Sequence, residues 1–426
     1  MKKAVLASLA LASLAFAKPV FTVTVDRPTA IYKCGEKAVF TITASDDEGK
    51  PLPAAAHIRF TNDGGKTIKE ETADFSKKAT QKFEATMETP SFLRLMVSAQ
   101  YDNADGKKAT AYKHGGAGFE PEKIRAARPE PKDFMDYWKG EIEKANKEIP
   151  LDVQMTKLDE FSNDKHTSYK VSFAAPGGRV YGFLCIPTKP GKKPAVVNVP
   201  GAGPGASGPE VNDNFVTLIM NVHPYDPMTK GKTVKELYAE LNKPGTYMYH
   251  GGASRQHNFF HRAIIGIARA VDWLAQSDDV NAKRIGYKGS SQGGAFGFIL
   301  GGLTHRFAAI VCNVPAMCDH YGAEKDRSPG WPFFIYNFKG QKDIDDMLPY
   351  YDAVNFARHI GVPIRVIVGF IDSTCCPSSV YSAFNALKSE DKKIINEIDM
   401  MHATRPSYTE AVKWMREYIS KEVMPH

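Results

Sequence analysis

The stretch RIGYKGSSQGGAFGFILGGL, at positions 284 to 303, decides the fold of this chain. It starts as a β-prone run, passes through the turn Gly289-Ser290-Ser291-Gln292-Gly293-Gly294 and continues into an apolar, helix-like run. The turn satisfies the pattern G-x-S-x-G, which holds a serine on a sharp bend between a strand and a helix. Glycines flank such a bend because bulkier residues would collide with adjacent backbone. The pattern predicts that Ser291 is a nucleophile.

A serine hydroxyl needs a base to take its proton and a carboxylate to orient that base. In folds with this bend, the acid and then the histidine follow the serine along the chain. His402 comes after the run KKIINEIDMM, whereas His426 lies at the chain terminus, where a base would be poorly held. Asp372 ends the run PIRVIVGFI and should emerge at the same sheet edge as Ser291. We therefore predict a catalytic triad of Ser291, Asp372 and His402.

Acyl transfer also requires donors for the negative charge that develops on the carbonyl oxygen. One should be the backbone N–H of Gln292, immediately after the nucleophile. The other should come from the loop Pro200-Gly201-Ala202-Gly203, which follows the β-prone run PAVVNV. We predict an oxyanion hole formed by Ala202 and Gln292, with Gly201 as the next choice for the loop donor.

Beyond residue 119, β-prone runs alternate with amphipathic runs, which is typical of a mainly parallel sheet covered on both faces. Together with the serine bend, this pattern predicts an α/β-hydrolase domain over residues 119–426, with an eight-stranded sheet. Segments 203–252 and 318–348 interrupt the alternation and should form a site wall or lid. Trp331 lies in the second of them, where it would either stack on a sugar ring or pack within the lid. The strands are expected at SYKVSFAA, RVYGFLCIP, PAVVNVPG, FVTLIMNVH, RIGYKGS, AAIVCNVP, PIRVIVGFID and KIINEIDM.

The region before residue 119 has a different pattern. Six short runs alternate polar and apolar residues and are separated by turns such as DDEGK, NDGGK and DNADGK. This predicts a small all-β sandwich, Ig-like, over residues 18–118. It contains no obvious chemistry, so we expect a spacer or packing module, with glycan binding as a weaker alternative. The Pro- and charge-rich stretch GFEPEKIRAARPEPKDF marks the boundary.

The first 17 residues combine two lysines, a short apolar run and the sequence Ala15-Phe16-Ala17, which predicts a secretory signal peptide over 1–17. The mature protein is expected outside the cytoplasm, in the periplasm or secreted. No other apolar run reaches the roughly 20 residues needed to span a bilayer. The net charge of +7 is spread without a dense Lys/Arg block, so we expect no nucleic-acid partner.

The six cysteines have no paired CxxC spacing, and we predict neither a metal nor another cofactor. Cys375 and Cys376 are adjacent. They are either two separate thiols, which we favour, or a strained vicinal disulfide. His257 and His261 are four residues apart and could share a helix face, but no carboxylate lies at ligand spacing. We expect these histidines at the surface or in a site wall.

Several motifs together resemble one family. The turn GSSQGG is preceded by a predicted helix containing RAVDWL and followed by AAIVCNVPA. With the entry helix DFMDYW, the run GFID followed by CCPSS, and the late His402, they resemble the acetyl xylan esterase and cephalosporin C deacetylase group, carbohydrate esterase family seven. The resemblance covers most of residues 120–426 but not the β-rich part. It implies a deacetylase of plant or other glycans.

The chain departs from that family's usual motifs at three places. After the fourth expected strand it has Val222-His223-Pro224, where members usually carry Arg-Gly-Gln. In the oxyanion loop it has Pro200-Gly201-Ala202 in place of His-Gly-Tyr. After the predicted catalytic histidine it has Ala403 in place of a glutamate. None of these changes removes a residue of the predicted triad.

These observations predict an exported serine esterase that removes acyl groups, acetyl foremost, from glycans such as xylan. Its partner would be an acetylated carbohydrate or another small ester. A serine peptidase of the prolyl type is one alternative, although about 100 residues of β-structure are too few for that group's propeller. A non-catalytic glycan-binding relative is the other, and an intact Ser, Asp and His in order argues against it.

Overall fold

The computed structural model describes residues 18–52 and 54–421. The predicted signal peptide and His426 lie outside the described residues. The strands are β1 (Val20–Val25), β2 (Ile31–Tyr32), β3 (Ala38–Ser45), β4 (Ala55–Asn62), β5 (Thr67–Asp74), β6 (Thr80–Ala85), β7 (Ser91–Asp102), β8 (Lys108–Phe119), β9 (Gln154–Lys157), β10 (His166–Ala175), β11 (Gly178–Pro187), β12 (Lys193–Val199), β13 (Val216–Asn221), β14 (Val280–Ser290), β15 (Ala309–Asn313), β16 (Ile364–Gly369) and β17 (Lys392–Glu397). The α-helices are α1 (Phe134–Glu148), α2 (Val234–Leu241), α3 (Phe259–Ala275), α4 (Gln292–Thr304), α5 (Phe334–Asn337), α6 (Ile344–Met347), α7 (Ala353–Ala357), α8 (Pro377–Ala386) and α9 (Pro406–Ser420).

The first eight strands form two sheets, with the orders β1-β3-β6 and β2-β8-β7-β4-β5. Both sheets contribute to one core, in which the rings of Phe40 and Phe60 lie 5.8 Å apart. β3 alternates buried and half-buried residues along its whole length, as period-two patterning requires. The six predicted runs are all present. The structure adds β2, which is very short, and β5, whose side chains are mostly exposed and therefore lack apolar alternation.

The remaining strands form one sheet with the order β17-β16-β15-β14-β12-β13-β11-β10-β9. Neighbours from β17 through β12 to β13 pair in parallel, and those from β13 to β9 pair antiparallel. All eight predicted strands are present. The predicted total is wrong by one, because the edge strand β9 is exposed along its length and carries no apolar pattern.

Parallel pairing brings the carboxyl ends of six strands to one edge of the sheet, among them those of β14, β15, β16 and β17. β14 ends at Ser290, β15 at Asn313, β16 at Gly369 and β17 at Glu397. Loops at this edge of an open α/β sheet usually form the binding crevice. β13 and β15 are buried at every position, because helices cover the sheet on both faces.

Helix α1 packs across the α/β unit through one apolar face. Phe134, Trp138 and Ala145 are buried, and the indole Nε1–H of Trp138 donates to the carbonyl of Tyr350 at 2.9 Å. Among the described residues, no helix is long and apolar enough to cross a membrane.

The all-β unit and the α/β unit are packed together. The ring of Phe92 on β7 lies 4.9 Å from that of Phe370, just after β16, and Phe92 belongs to the main hydrophobic core. The all-β unit therefore shares core contacts with the α/β unit, as a packing module would and a detached spacer would not.

Replacing Trp138 by alanine should lower the free energy of unfolding by about 3–5 kcal/mol, because it removes a fully buried ring and leaves the Tyr350 carbonyl without its donor. Urea unfolding followed by circular dichroism measures the change. Lys139→Ala on the exposed side of the same helix is the control and should stay within about 0.5 kcal/mol of the parent. Equal effects of the two substitutions would contradict this account of α1.

Candidate active site

The bend between β14 and α4 has the tight backbone that its glycines predict. Ser291 has a φ of 57°, in the left-handed region that non-glycine residues rarely adopt. A Cβ on Gly293 would lie 1.9 Å from the carbonyl oxygen of Val199, and a Cβ on Gly289 would lie 2.3 Å from that of Gly293. Only glycine fits at either position. The backbone of Ser291 is fixed by its N–H, which donates to the Asn313 carbonyl at 2.9 Å.

The structure brings Ser291, His402 and Asp372 into one hydrogen-bonded chain. The Nδ1 atom of His402 lies 2.8 Å from Oδ2 of Asp372, and its Nε2 atom lies 2.9 Å from the Ser291 hydroxyl. A carboxylate only accepts, so the Nδ1–H of His402 donates to Asp372. Nε2 is then left with a lone pair, to which the serine hydroxyl donates. This is the tautomer that a general base requires.

Asp372 is held by the loop that it begins. Its side chain is fully buried, and its Oδ1 accepts from the backbone N–H groups of Thr374 at 2.8 Å and Cys375 at 2.9 Å. Oδ2 is thereby left for His402, whose side chain is 30% exposed. We call residues 370–378 the acid segment. Its start is joined to the loop after β17, because Phe370 N–H donates to Glu397 and Ile371 N–H to Met400.

We call residues 289–294 the serine bend and residues 398–405, which follow β17 and contain His402, the histidine loop. Asn313, at the end of β15, connects the serine bend to the histidine loop. Its buried Nδ2 lies 2.8 Å from the Ser290 hydroxyl, 3.2 Å from the Ala403 carbonyl and 3.3 Å from the Thr404 hydroxyl. Sequence reasoning did not single out Asn313. Its position at the carboxyl end of a predicted parallel strand was the available signal.

The predicted oxyanion loop lies beside the nucleophile. A Cβ on Gly201 would be 3.7 Å from the Cβ of Ser291, and Ala202 is exposed on the same turn. The carbonyl of Gly203 accepts from Nε2 of His223 at 2.6 Å. Burial lowers the pKa of His223 to about 4, so its ring is neutral at ordinary pH. His223 therefore fixes the orientation of the loop that carries Ala202.

The side chain of Gln292, and not only its backbone N–H, contacts the residues around the predicted oxyanion hole. Its amide oxygen accepts from the Tyr247 hydroxyl at 2.6 Å, and its amide nitrogen lies 3.4 Å from the Pro200 carbonyl. Its backbone N–H begins α4, where the first N–H groups of a helix have no partner inside the helix. Neither Tyr247 nor His223, both in segment 203–252, was predicted to belong to the site. His223 ends the expected strand FVTLIMNVH and stands out only as a departure from the family motif, and Tyr247 is an isolated aromatic residue without a pattern.

Trp331 is half-buried and packs against the main core. Its carbonyl accepts from Met317 N–H at 2.7 Å, and the neighbouring Ala316 N–H donates to the Ser291 carbonyl at 3.0 Å. The second long segment is therefore connected to the bend through the backbone. Its role as a wall beside Ser291 fits this connection, and the partial exposure of Trp331 leaves both predicted roles of its ring open.

Cys375 and Cys376 are buried free thiols, which is the arrangement that we favoured. The potential ligand atoms of Asp372, Cys375 and His402 lie within 4.8 Å of one another. Two of these residues are already joined by their hydrogen bond, and burial raises the pKa of the Cys375 thiol well above its usual value. Because the hydrogen bond between Asp372 and His402 already accounts for their approach, we assign this cluster to the triad.

His257 and His261 do not converge on a shared ligand position. His261 Nε2 lies 2.8 Å from Oε2 of Glu141, whereas His257 Nδ1 lies 3.0 Å from the Ser254 hydroxyl. Within residues 18–52 and 54–421, no three potential metal ligands that include these histidines come within 4.8 Å of one another. They line a cavity of about 630 Å³ beside α1 and the start of α3.

Comparison with known proteins identifies the family of this chain. Residues 120–418 match the family model described as Acetyl xylan esterase (AXE1). The chain is 29% identical over 345 residues to Acetyl esterase Axe7A of Xylanibacter ruminicola, a match that spans 78% of this chain and 76% of that protein.

Two solved structures share the fold. One is an acetyl xylan esterase from Paenibacillus sp. R4, with a TM-score of 0.58 and 21% identity, a match that covers 70% of this chain and 98% of that chain. Another is Acetyl Xylan Esterase 1 from Thermoanaerobacterium sp. JW/SL YS485, with a TM-score of 0.56 and 20% identity, a match that covers 70% of this chain and 97% of that chain. At this identity they support the α/β-hydrolase fold alone. The match of the family model over most of the chain goes further: this chain belongs to the acetyl xylan esterase family and is a carboxylic ester hydrolase.

Proposed function

We propose that this protein removes acetyl groups from O-acetylated glycans such as xylan by a Ser-His-Asp acyl-enzyme mechanism. The observation that carries the proposal is the hydrogen-bonded chain from Asp372 through His402 to Ser291 in a member of this family. The names of its relatives support acetyl as the acyl group.

In the first step, the Ser291 oxygen attacks the ester carbonyl while Nε2 of His402 takes the hydroxyl proton. Asp372 stabilises the imidazolium that forms and keeps the ring in its tautomer. The negative charge on the tetrahedral intermediate is placed against the backbone N–H groups of Gln292 and Ala202. When the intermediate collapses, the bond from the acetyl carbon to the sugar oxygen breaks, His402 gives its proton to that oxygen to form the sugar hydroxyl, and Ser291 is left acetylated.

In the second step, water replaces the sugar. Nε2 of His402 takes a proton from the water as its oxygen attacks the acetyl carbonyl, and the same donors receive the negative charge. Collapse of this intermediate returns the proton to Ser291 and releases acetate. In the first step, the half-exposed Trp331 would stack on a sugar ring of the acetylated glycan. The products are one acetate and one free sugar hydroxyl per ester cleaved.

The substrate class is tested by incubating the purified protein with acetylated xylan, acetylated oligosaccharides, feruloylated esters and prolyl peptide substrates. We expect acetate release from the first two. Hydrolysis of the prolyl peptides without acetate release would favour the peptidase alternative. Binding of xylan with no turnover of any ester would favour the non-catalytic alternative.

We also propose the organisation and location of the chain. Residues 1–17 would serve as a signal peptide, residues 18–118 as an Ig-like sandwich and residues 119–426 as the catalytic domain, and the mature protein would act in the periplasm or outside the cell. The basic and apolar pattern of the first 17 residues supports export. N-terminal sequencing of the protein from its native host, in culture fractions, would locate both the cleavage site and the compartment.

Ser291→Ala and His402→Ala should each reduce acetyl-ester hydrolysis by about 10⁴–10⁶-fold, because nucleophile and base act as a unit. The double variant should lose little more than either single one. Initial rates on a soluble acetyl ester measure these effects. Ser420→Ala is the matched control and should keep parent activity, because its exposed hydroxyl contacts only the Arg416 carbonyl on α9. Near-parent activity of Ser291→Ala would refute the mechanism.

His223→Leu should lower kcat by about 10–100-fold, because the Gly203 carbonyl loses its donor and the oxyanion loop shifts. His223→Gln retains an N–H donor and should keep most of the parent activity. Steady-state kinetics of both variants on the same acetyl ester provide the measurement. If the leucine and glutamine variants were equally impaired, the bond to Gly203 would not be the reason for the loss.

A further inference from the structure

The five-stranded sheet of the all-β unit has different neighbours on its two faces. Along β7, Leu93 and Leu95 are buried in the core of the all-β unit, whereas the alternate residues Phe92 and Arg94 lie on the opposite face. That opposite face contacts the acid segment. Phe92 packs edge-on against Phe370, the first residue of that segment. The all-β unit thus reaches the loop that holds the triad carboxylate.

Arg94 makes the polar part of this contact. Its Nη2 donates to the backbone carbonyl of Asp372 and lies 3.4 Å from Sγ of Cys376. Gly116 on β8 is the cross-strand partner of Arg94. A Cβ on Gly116 would lie 2.9 Å from Cβ of Phe370, so glycine is what allows the sheet to approach the acid segment this closely.

Asp63, between β4 and β5, contacts the other end of the acid segment. Its Oδ2 accepts from the backbone N–H of Ser378 at 3.0 Å, in the first turn of α8. The residue at the N-cap of α8, Cys376, provides no side-chain cap. A carboxylate at this place satisfies a helix N–H and interacts favourably with the helix dipole. Burial raises the pKa of Asp63, and the nearby Arg94 cation opposes that rise.

We propose that Arg94 and Asp63 are positioning residues of the active site, which hold the two ends of the acid segment so that Asp372 stays within hydrogen-bond distance of His402. The inference rests on the proposed function. Neither residue touches the reacting atoms, and both belong to the unit expected from sequence to carry no chemistry. A displacement of about 1 Å in a catalytic group costs about 10²-fold in rate, so even a small movement of the segment would be measurable.

The first test uses the full-length protein and a soluble acetyl ester. Arg94→Met keeps the side-chain length but removes the donor, and we expect kcat to fall about 10–100-fold with KM changed less than about twofold. Arg94→Lys retains one cationic donor and should restore part of the loss. Arg59→Met on β4 of the same sheet is the matched control, because Arg59 contacts Thr67 and Glu70 within the all-β unit, and it should keep parent kcat. Thermal unfolding of each variant is recorded alongside.

A double-variant cycle separates positioning from general loss of structure. In an Asp372→Ala background the acid is absent, so adding Arg94→Met should cost less than about twofold more. Parent kcat in Arg94→Met, or an equal fold loss in both backgrounds, would overturn the role of Arg94. If Arg94→Met does not fold, Gly116→Ala replaces it in the same cycle with the same two overturning outcomes, because its added Cβ would press on Phe370 in the acid segment.

Asp63 is tested in the same assay. Asp63→Asn keeps an oxygen that accepts from Ser378 and should retain most of kcat, whereas Asp63→Leu should lower kcat about tenfold. Equal kcat in the two variants would remove Asp63 from the proposal. Failure of the proposed function itself would be distinct, since the unmodified protein would then release no acetate, or Ser291→Ala would remain active.

Discussion

The close packing of Gly293 against the carbonyl of Val199 is the constraint on which the site depends. It places the end of β12 directly against the start of α4, and Ser291, two residues before Gly293, has a φ of 57°. This contact therefore sets how closely the serine bend approaches the loop after β12, and Gln292, between Ser291 and Gly293, is buried beside it. A side chain at position 293 would push the start of α4 away from the end of β12, which explains why glycine is required there.

The other two members of the triad are held by contacts between loops. The acid segment and the histidine loop are joined by backbone hydrogen bonds that begin at Phe370 and Ile371, and the histidine loop is joined to the serine bend by Asn313. No single strand end fixes His402, whose loop is otherwise exposed. Its position results from hydrogen bonds among three neighbouring loops. Mutations that break these bonds should therefore affect catalysis by moving His402 relative to Ser291 and Asp372.

The all-β unit adds a fourth support. The family model begins its match at residue 120, so Asp63, Arg94 and Gly116 lie outside the matched region even though they contact the acid segment. Residues of both units therefore contact the acid segment of the candidate active site. The same face of the sheet buries Phe92 in the main core, so polar positioning and apolar packing occur together. Separating the units would expose that ring and release the acid segment.

Local sequence determined those parts of this protein whose physical cause is local. The glycine pattern around Ser291, the alternation of strand and helix runs, and the placement of Asp372 and His402 after strands all follow from backbone sterics and from periodicity, and they predicted the α/β-hydrolase fold and the residues that meet in the triad. The exposed strands β5 and β9 were missed because a strand without a buried face has no apolar alternation. Only the tertiary structure decided which distant groups support the site. Arg94 is separated from Asp372 by 278 positions and Asn313 from Ala403 by 90, and no local pattern encodes such contacts. They exist because the sheet edge and the two packed units bring these loops together.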